Sequence, residues 1–170
     1  MTCSCATASH SHGHLVLVCG LPGVGKTTLS RQLASQLHAF RMCPDETMLK
    51  RGIDLRDEQA RARIETRQWL LTRRLLVRGC TVILEFGFWG QAERDEKRQI
   101  ARDIGAHVDL YYLSASLEEL CRRLAIRQTA LGWAPISLDQ MARWANMFEA
   151  PTAAEVGLFD SCATFTYPAV

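Results

Sequence analysis

Lysine is nearly absent from this chain: Lys26, Lys50 and Lys97 are the only three among 20 basic residues, and the rest are arginine. Eighteen acidic residues leave a formal charge of +2. That balance excludes a polybasic nucleic-acid-coating or membrane-surface protein. The seven cysteines are odd in number and scattered, with no C-x-x-C pair, and several sit inside apolar runs as small hydrophobes do. No disulfide framework is expected, and a reducing cytoplasm is the compartment this favours. No apolar run approaches the roughly 20 residues of a membrane span, and the first 14 residues lack the basic and greasy segments of a secretory signal. Asparagine occurs once, at Asn146, so there is no N-K-x-D guanine reader. No Asp is followed three residues later by Gly, and no L-S-G-G-Q stretch occurs. GTPases and transport ATPases are thereby disfavoured.

What is present is a globular composition, 48% hydrophobic and 22% charged over 170 residues, enough for one core. Residues 1–13 offer little to pack and read as a disordered leader. Cys3, Cys5, His10, His12 and His14 could hold a soft metal, but their spacing matches no closed zinc set. Residues 14–170 read as one domain. Leu15–Cys19 and Thr81–Glu85 are short continuous apolar runs, the pattern of strands buried on both faces. Further strands are expected at Phe40–Cys43, Val108–Leu113 and Ala163–Tyr167. Helical periodicity spans Lys26–Leu37, 55–78 with Asp54 as N-cap and Asp57 also of capping type, Gln91–Ile104, Leu117–Thr129 and Ser137–Phe148. Alternation of strand and helix predicts an α/β fold, a three-layer sandwich with a mainly parallel five-stranded sheet and helices on both faces.

Gly20-Leu21-Pro22-Gly23-Val24-Gly25-Lys26-Thr27 matches G-x-x-x-x-G-K-[ST] at every fixed position, between a strand pattern and a helix pattern. Its glycines let backbone N–H groups turn toward phosphate, and the following helix presents its positive end to the same anion. Lys26 is placed to reach the β- and γ-phosphates, and the Thr27 hydroxyl to ligate Mg²⁺. ATP and Mg²⁺ are the expected cofactors. Glu85, ending a greasy strand at the sheet's carboxyl edge, is a candidate for holding Mg²⁺ or orienting substrate. At 100° per residue, Arg123 and Arg127 lie about 40° apart beside the apolar stripe of their helix, whereas Arg122 points nearly opposite it, toward water. Two guanidinium groups on one flank can neutralise charge between β- and γ-phosphates.

Gly20–Thr28, Leu84-Glu85-Phe86-Gly87-Phe88, the Arg94-containing helix and Arg123-x-x-x-Arg127 together resemble the small-molecule and polynucleotide kinases of the P-loop NTPase fold. That group includes chloramphenicol phosphotransferase, polynucleotide 5′-kinase, gluconate kinase and the zeta-toxin kinases, and the likeness covers most of residues 14–165. The resemblance implies a kinase domain with a built-in lid. It implies Asp45 as acceptor of the attacking hydroxyl's proton; a turn residue or helix cap is the other reading of Pro44-Asp45. It also implies Arg123 and Arg127 as lid arginines, and a loop near adenine at 151–155. Glu85 departs from the group, which more often carries aspartate there. Arg94 is open between acceptor contact and helix surface, and Phe86-Gly87-Phe88-Trp89 between pocket and core. The implied activity is transfer of the ATP γ-phosphoryl group to a small-molecule hydroxyl. A polynucleotide 5′-hydroxyl or nucleotide-sugar kinase and a non-catalytic ATP-binding regulatory module are the alternatives. No membrane partner is expected.

Overall fold

A computed structural model describes residues 12–130 and 136–167, so the leader expected over 1–13 lies outside the described residues up to residue 11. The chain runs β1 (His14–Cys19), α1 (Lys26–Gln36), β2 (Phe40–Met42), α2 (Pro44–Lys50), α3 (Glu58–Val77), β3 (Thr81–Gly87) and α4 (Gln91–Asp103). It continues through β4 (His107–Ala115), α5 (Leu117–Ala130), α6 (Leu138–Met147), α7 (Ala153–Val156) and β5 (Ser161–Tyr167). The strands form one sheet in the order β2-β3-β1-β4-β5. Every pairing is parallel, so the expected mainly parallel sheet is wholly so.

Alternation along β1 distributes its side chains to two cores. Leu15, Leu17 and Cys19 pack on one face with Trp69 and Leu76 of α3 and Ala101 of α4. Val16 and Val18 pack on the other with Leu33 of α1, Leu120 and Leu124 of α5 and Met141 of α6. Residues 15–19 are fully inaccessible, as a central parallel strand covered on both faces must be. The layers are therefore helix, sheet, helix. A smaller cluster of Met48, Ala60 and Ile64 joins α2 to α3.

Three local readings change. The long helix is capped by Asp57, not Asp54: the Asp57 carboxylate accepts from Ala60 N at 2.8 Å. Asp54 instead accepts from Arg56 N at 2.9 Å, closing a turn ahead of the helix. The segment after β2 is helical, with Pro44 in its first turn, Asp45 and Glu46 near its positive end and Lys50 in its last turn. Those are ordinary helix signals, in line with the helix-cap reading of Pro44-Asp45. The third is α7, a single turn capped by Thr152. Ser137 caps α6 by accepting from Gln140 N, as the capping-box pattern predicts.

Candidate active site

The loop Gly20–Gly25 leaves the carboxyl end of the central strand β1, where ligands of open parallel sheets collect. Gly20 and Gly23 take φ of 140° and 86°, open to glycine and strained for other residues. A Cβ on Gly20 would lie 2.4 Å from the Leu113 carbonyl oxygen, and one on Gly23 2.8 Å from Leu124 Cγ. The loop is thus folded tightly onto β4 and α5. Leu21, Pro22 and Val24 fill the variable positions, and Val24 is buried beneath the turn. Lys26 and Thr27 open α1, and Thr28, also in that first turn, is exposed. No acidic residue lies in this turn to neutralise its N–H groups.

Lys26 Nζ donates to Gly20 O at 2.7 Å and Leu21 O at 3.0 Å, so its ammonium is curled against the loop. Burial pushes its pKa down to about 8; the carboxylates of Glu85 and Asp45 pull it upward, and the charge of Arg127 adds to the lowering.

Beside the lysine, the Thr27 hydroxyl donates to Glu85 Oε1. The other oxygen of this buried carboxylate accepts from Arg41 Nη1 at 2.5 Å. Arg41 also pairs with Glu46, whose second oxygen takes Arg31 Nη2 at 2.7 Å. Burial works against the charge on Arg41, but its bonds to Glu46 and Glu85 raise its pKa. Arg41 in turn holds the Glu46 carboxyl below the usual range. Glu85 thus stands between the Thr27 hydroxyl and a fixed cation.

Asp45 sits in the first turn of α2, nearly half exposed, with Arg61 Nη1 at 2.6 Å from Oδ1. The same guanidinium reaches the Leu55 carbonyl at 3.3 Å, fixing its orientation. Asp45 acts electrostatically on both Lys26 and Glu65. Glu65 of α3 is pushed up to about 7 by burial, then by the neighbouring carboxylate of Glu93.

On the opposite flank, Arg123 Nε donates to Glu119 Oε1 at 2.5 Å, and Arg123 Nη1 lies 3.4 Å from the Val24 carbonyl of the phosphate loop. Its guanidinium carbon is 4.8 Å from the centre of the Tyr167 ring. Arg122 is exposed and shares Glu119 at 2.7 and 2.8 Å. Glu119 is held at about 2 by Arg122, then Arg123. Arg127 is exposed, with its charge felt at Lys26.

Two candidates lie in the protein interior. Arg94 is fully buried, giving Nε and Nη2 to Glu155 at 2.5 and 2.8 Å and Nη1 to the Phe88 carbonyl at 2.9 Å. It is not a helix-surface residue: it ties α4 to α7, and Glu155 of the 151–155 segment supplies the counter-charge. Phe86 and Phe88 are core residues stacked 5.7 Å apart. Trp89 remains partly exposed, edge-on to Trp144 and Phe148. Arg41, Glu46, Arg61, Glu65 and Glu119 were not anticipated. A charged Arg41 inside a strand pattern was the one local signal for any of them.

This loop, sheet order and ring of charges define a P-loop, ATP-binding, kinase-like domain. The profile of a family described as an AAA domain matches residues 15–151. The chain belongs to that family, within the small P-loop kinase group. No curated protein matches the sequence. Among solved structures, a candidate kinase from Chloroflexus aurantiacus is 20% identical, with 91% of this chain and 88% of that one covered at a TM-score of 0.70. Kti12 from Chaetomium thermophilum, solved with ADP-AlF3, is 19% identical over 91% and 88% at 0.65. A gluconokinase from Sinorhizobium meliloti is 17% identical over 92% and 82% at 0.56. At these identities the likeness shows the shared fold. Among the described residues no helix is long and apolar enough to cross a membrane.

Proposed function

We propose that this chain is a phosphotransferase that moves the γ-phosphoryl group of ATP to a hydroxyl of a small molecule in the cytoplasm. The observation that carries the reading is the placement of Asp45. A half-exposed carboxylate in the helix after β2, oriented by Arg61, lies within electrostatic reach of the phosphate-loop lysine. The sugar-kinase and gluconokinase structures of this fold add support for a small polar acceptor.

In this reading the N–H groups of the loop and of α1 hold the phosphates, and Lys26 leaves the loop carbonyls for the β- and γ-oxygens. The acceptor oxygen forms a bond to the γ-phosphorus as the bond to the β-bridging oxygen breaks. ADP leaves, and the acceptor's proton passes to Asp45. Thr27 and Glu85 are hard oxygen donors side by side, a set that fits Mg²⁺ and would hold it. When bound, the ion would offset negative charge on the transferring phosphates. Arg123, already on the Val24 carbonyl, and Arg127 belong to a lid carried by this same domain, over 14–170, and offset charge on the transferring group.

Incubation with γ-labelled ATP, Mg²⁺ and a panel of antibiotics, sugars, nucleosides and oligonucleotides tests the proposal. Label on one small alcohol is the expected result. Label on an oligonucleotide would move the assignment to a polynucleotide 5′-kinase. Intact ATP bound without transfer to any compound would leave a regulatory module.

A further inference from the structure

The sheet edge remote from the phosphate loop carries a second cluster that ATP chemistry does not use. His14 begins β1 and His107 begins β4, and parallel pairing sets the two residues side by side in register. Asp109 lies two residues along β4, so its side chain emerges on the same face as His107. His14 Nε2 is 2.8 Å from Asp109 Oδ2, and His107 Nε2 is 2.9 Å from Asp109 Oδ1. The two rings meet edge to face at 5.2 Å.

A pair of ordinary ion-pair histidines does not satisfy this carboxylate. Asp109 is 7% exposed. Among the described residues its Oδ1 has no hydrogen-bond partner, since the nearby His107 nitrogen lies within ion-pair distance without hydrogen-bond geometry. A buried carboxylate oxygen left without a donor is costly, and a cation is the species that would satisfy it. One donor atom from each of the three residues falls within 4.8 Å of the others. A small inward movement would bring all three onto one ion bound at about 2.0–2.2 Å from each. The far nitrogen of His107, Nδ1, faces Asp160 Oδ2 at 3.9 Å, and that aspartate is itself held by Val108 N at 2.8 Å and Arg102 Nη2 at 2.7 Å. His12 lies against the turn before β4: a Cβ on Gly105 would be 3.4 Å from its Nδ1. It is a spare donor two residues from His14.

We propose that His14, His107 and Asp109 bind zinc or a neighbouring late first-row divalent ion at the amino edge of the sheet, apart from the nucleotide site. Two imidazoles with one carboxylate select such an ion over Mg²⁺ or Ca²⁺, which require oxygen ligands. His107 is half exposed, so an ion enters from solvent, and the fourth position is open to water or His12. Bound metal ties β1 to β4 where the central strands begin.

The test uses the full chain, stripped of metal and free of nucleotide. Titration with Co²⁺, followed by its visible ligand-field absorption, should reach a plateau at one ion per chain, and zinc should displace it. His107→Ala, at a partly exposed position that the fold tolerates, should weaken Co²⁺ binding at least tenfold, and Asp109→Asn likewise. Millimolar Mg²⁺ should not compete. Zinc should raise the melting temperature of the wild type and leave that of His107→Ala unmoved. Absence of Co²⁺ binding would overturn the proposal. So would binding that survives His107→Ala and Asp109→Asn but disappears when Cys3, Cys5, His10 and His12 are replaced, because the leader alone would then be the ligand.

Discussion

Nucleotide binding should draw a proton onto Lys26. Burial holds this lysine at about 8 in the free protein, against an ordinary value of 10.5. A fraction of roughly 0.1 is therefore neutral at pH 7, about 0.5 at pH 8 and about 0.9 at pH 9. Phosphates placed against Nζ favour the charged form and return the lysine to or above its ordinary range. ATP should accordingly take up about half a proton at pH 8 and nearly one at pH 9, and affinity should fall up to tenfold per pH unit above pH 8. Folding responds in the opposite sense. The native pKa is depressed, so between about 8 and 10.5 the unfolded chain holds the extra proton, and stability of the free protein rises with pH across that window. The phosphate groups of ATP titrate near pH 6, below the window, and do not contribute. Calorimetric titration with MgATP at pH 7, 8 and 9, in pairs of buffers with different ionisation enthalpies, measures the uptake directly. Lys26→Met should abolish both the proton uptake and its pH slope. Binding heats independent of buffer at pH 8.5, or an unchanged slope in Lys26→Met, would refute the placement of the lysine beneath the loop.

Four further outcomes follow from the geometry. Asp45→Asn should leave ATP affinity intact while single-turnover transfer falls about 10²–10⁴-fold; transfer at the wild-type rate would reduce Asp45 to a helix-terminus residue held by Arg61. Arg123→Ala and Arg127→Ala should each lower turnover at least about tenfold, or about 1.4 kcal/mol. Arg122→Ala should change it less than about twofold, because Glu119 keeps Arg123 as a partner; steady-state rates on the identified acceptor decide, and equal small effects would place the transition-state cation elsewhere. Glu155→Gln strands the buried Arg94 charge and should cost about 3–5 kcal/mol in urea unfolding, whereas Arg94→Met with Glu155→Leu should recover most of that. Glu65, raised from 4.5 to about 7, binds more protons folded than unfolded, so it erodes stability as pH rises between those values. Glu65→Gln should therefore equal wild type in melting temperature near pH 4 and exceed it above pH 7, and a constant difference across the range would contradict the burial of this carboxyl.

Much of the molecule was legible from short-range pattern. Continuous apolar runs at 15–19 and 81–84 required strands covered on both faces, and the glycine spacing between the first strand and α1 required a phosphate loop, because each feature depends only on neighbours in the chain. The phase of α5 separated Arg123 from Arg122 for the same reason. Partners far along the chain were not legible. Nothing local to Arg94 says that a guanidinium on a helix is swallowed whole by Glu155, 61 residues on, and nothing local to Asp45 names Arg61. Glu85 could be seen to stand at a sheet edge, but its grip on both Thr27 and Arg41 exists only because β2 and β1 flank β3. His14, His107 and Asp109 converge through the register of β1 against β4, a property of the assembled sheet. Local propensity and periodicity act over a few residues, whereas a charge in a protein interior is settled by whichever opposite charge the tertiary packing brings within hydrogen-bond reach.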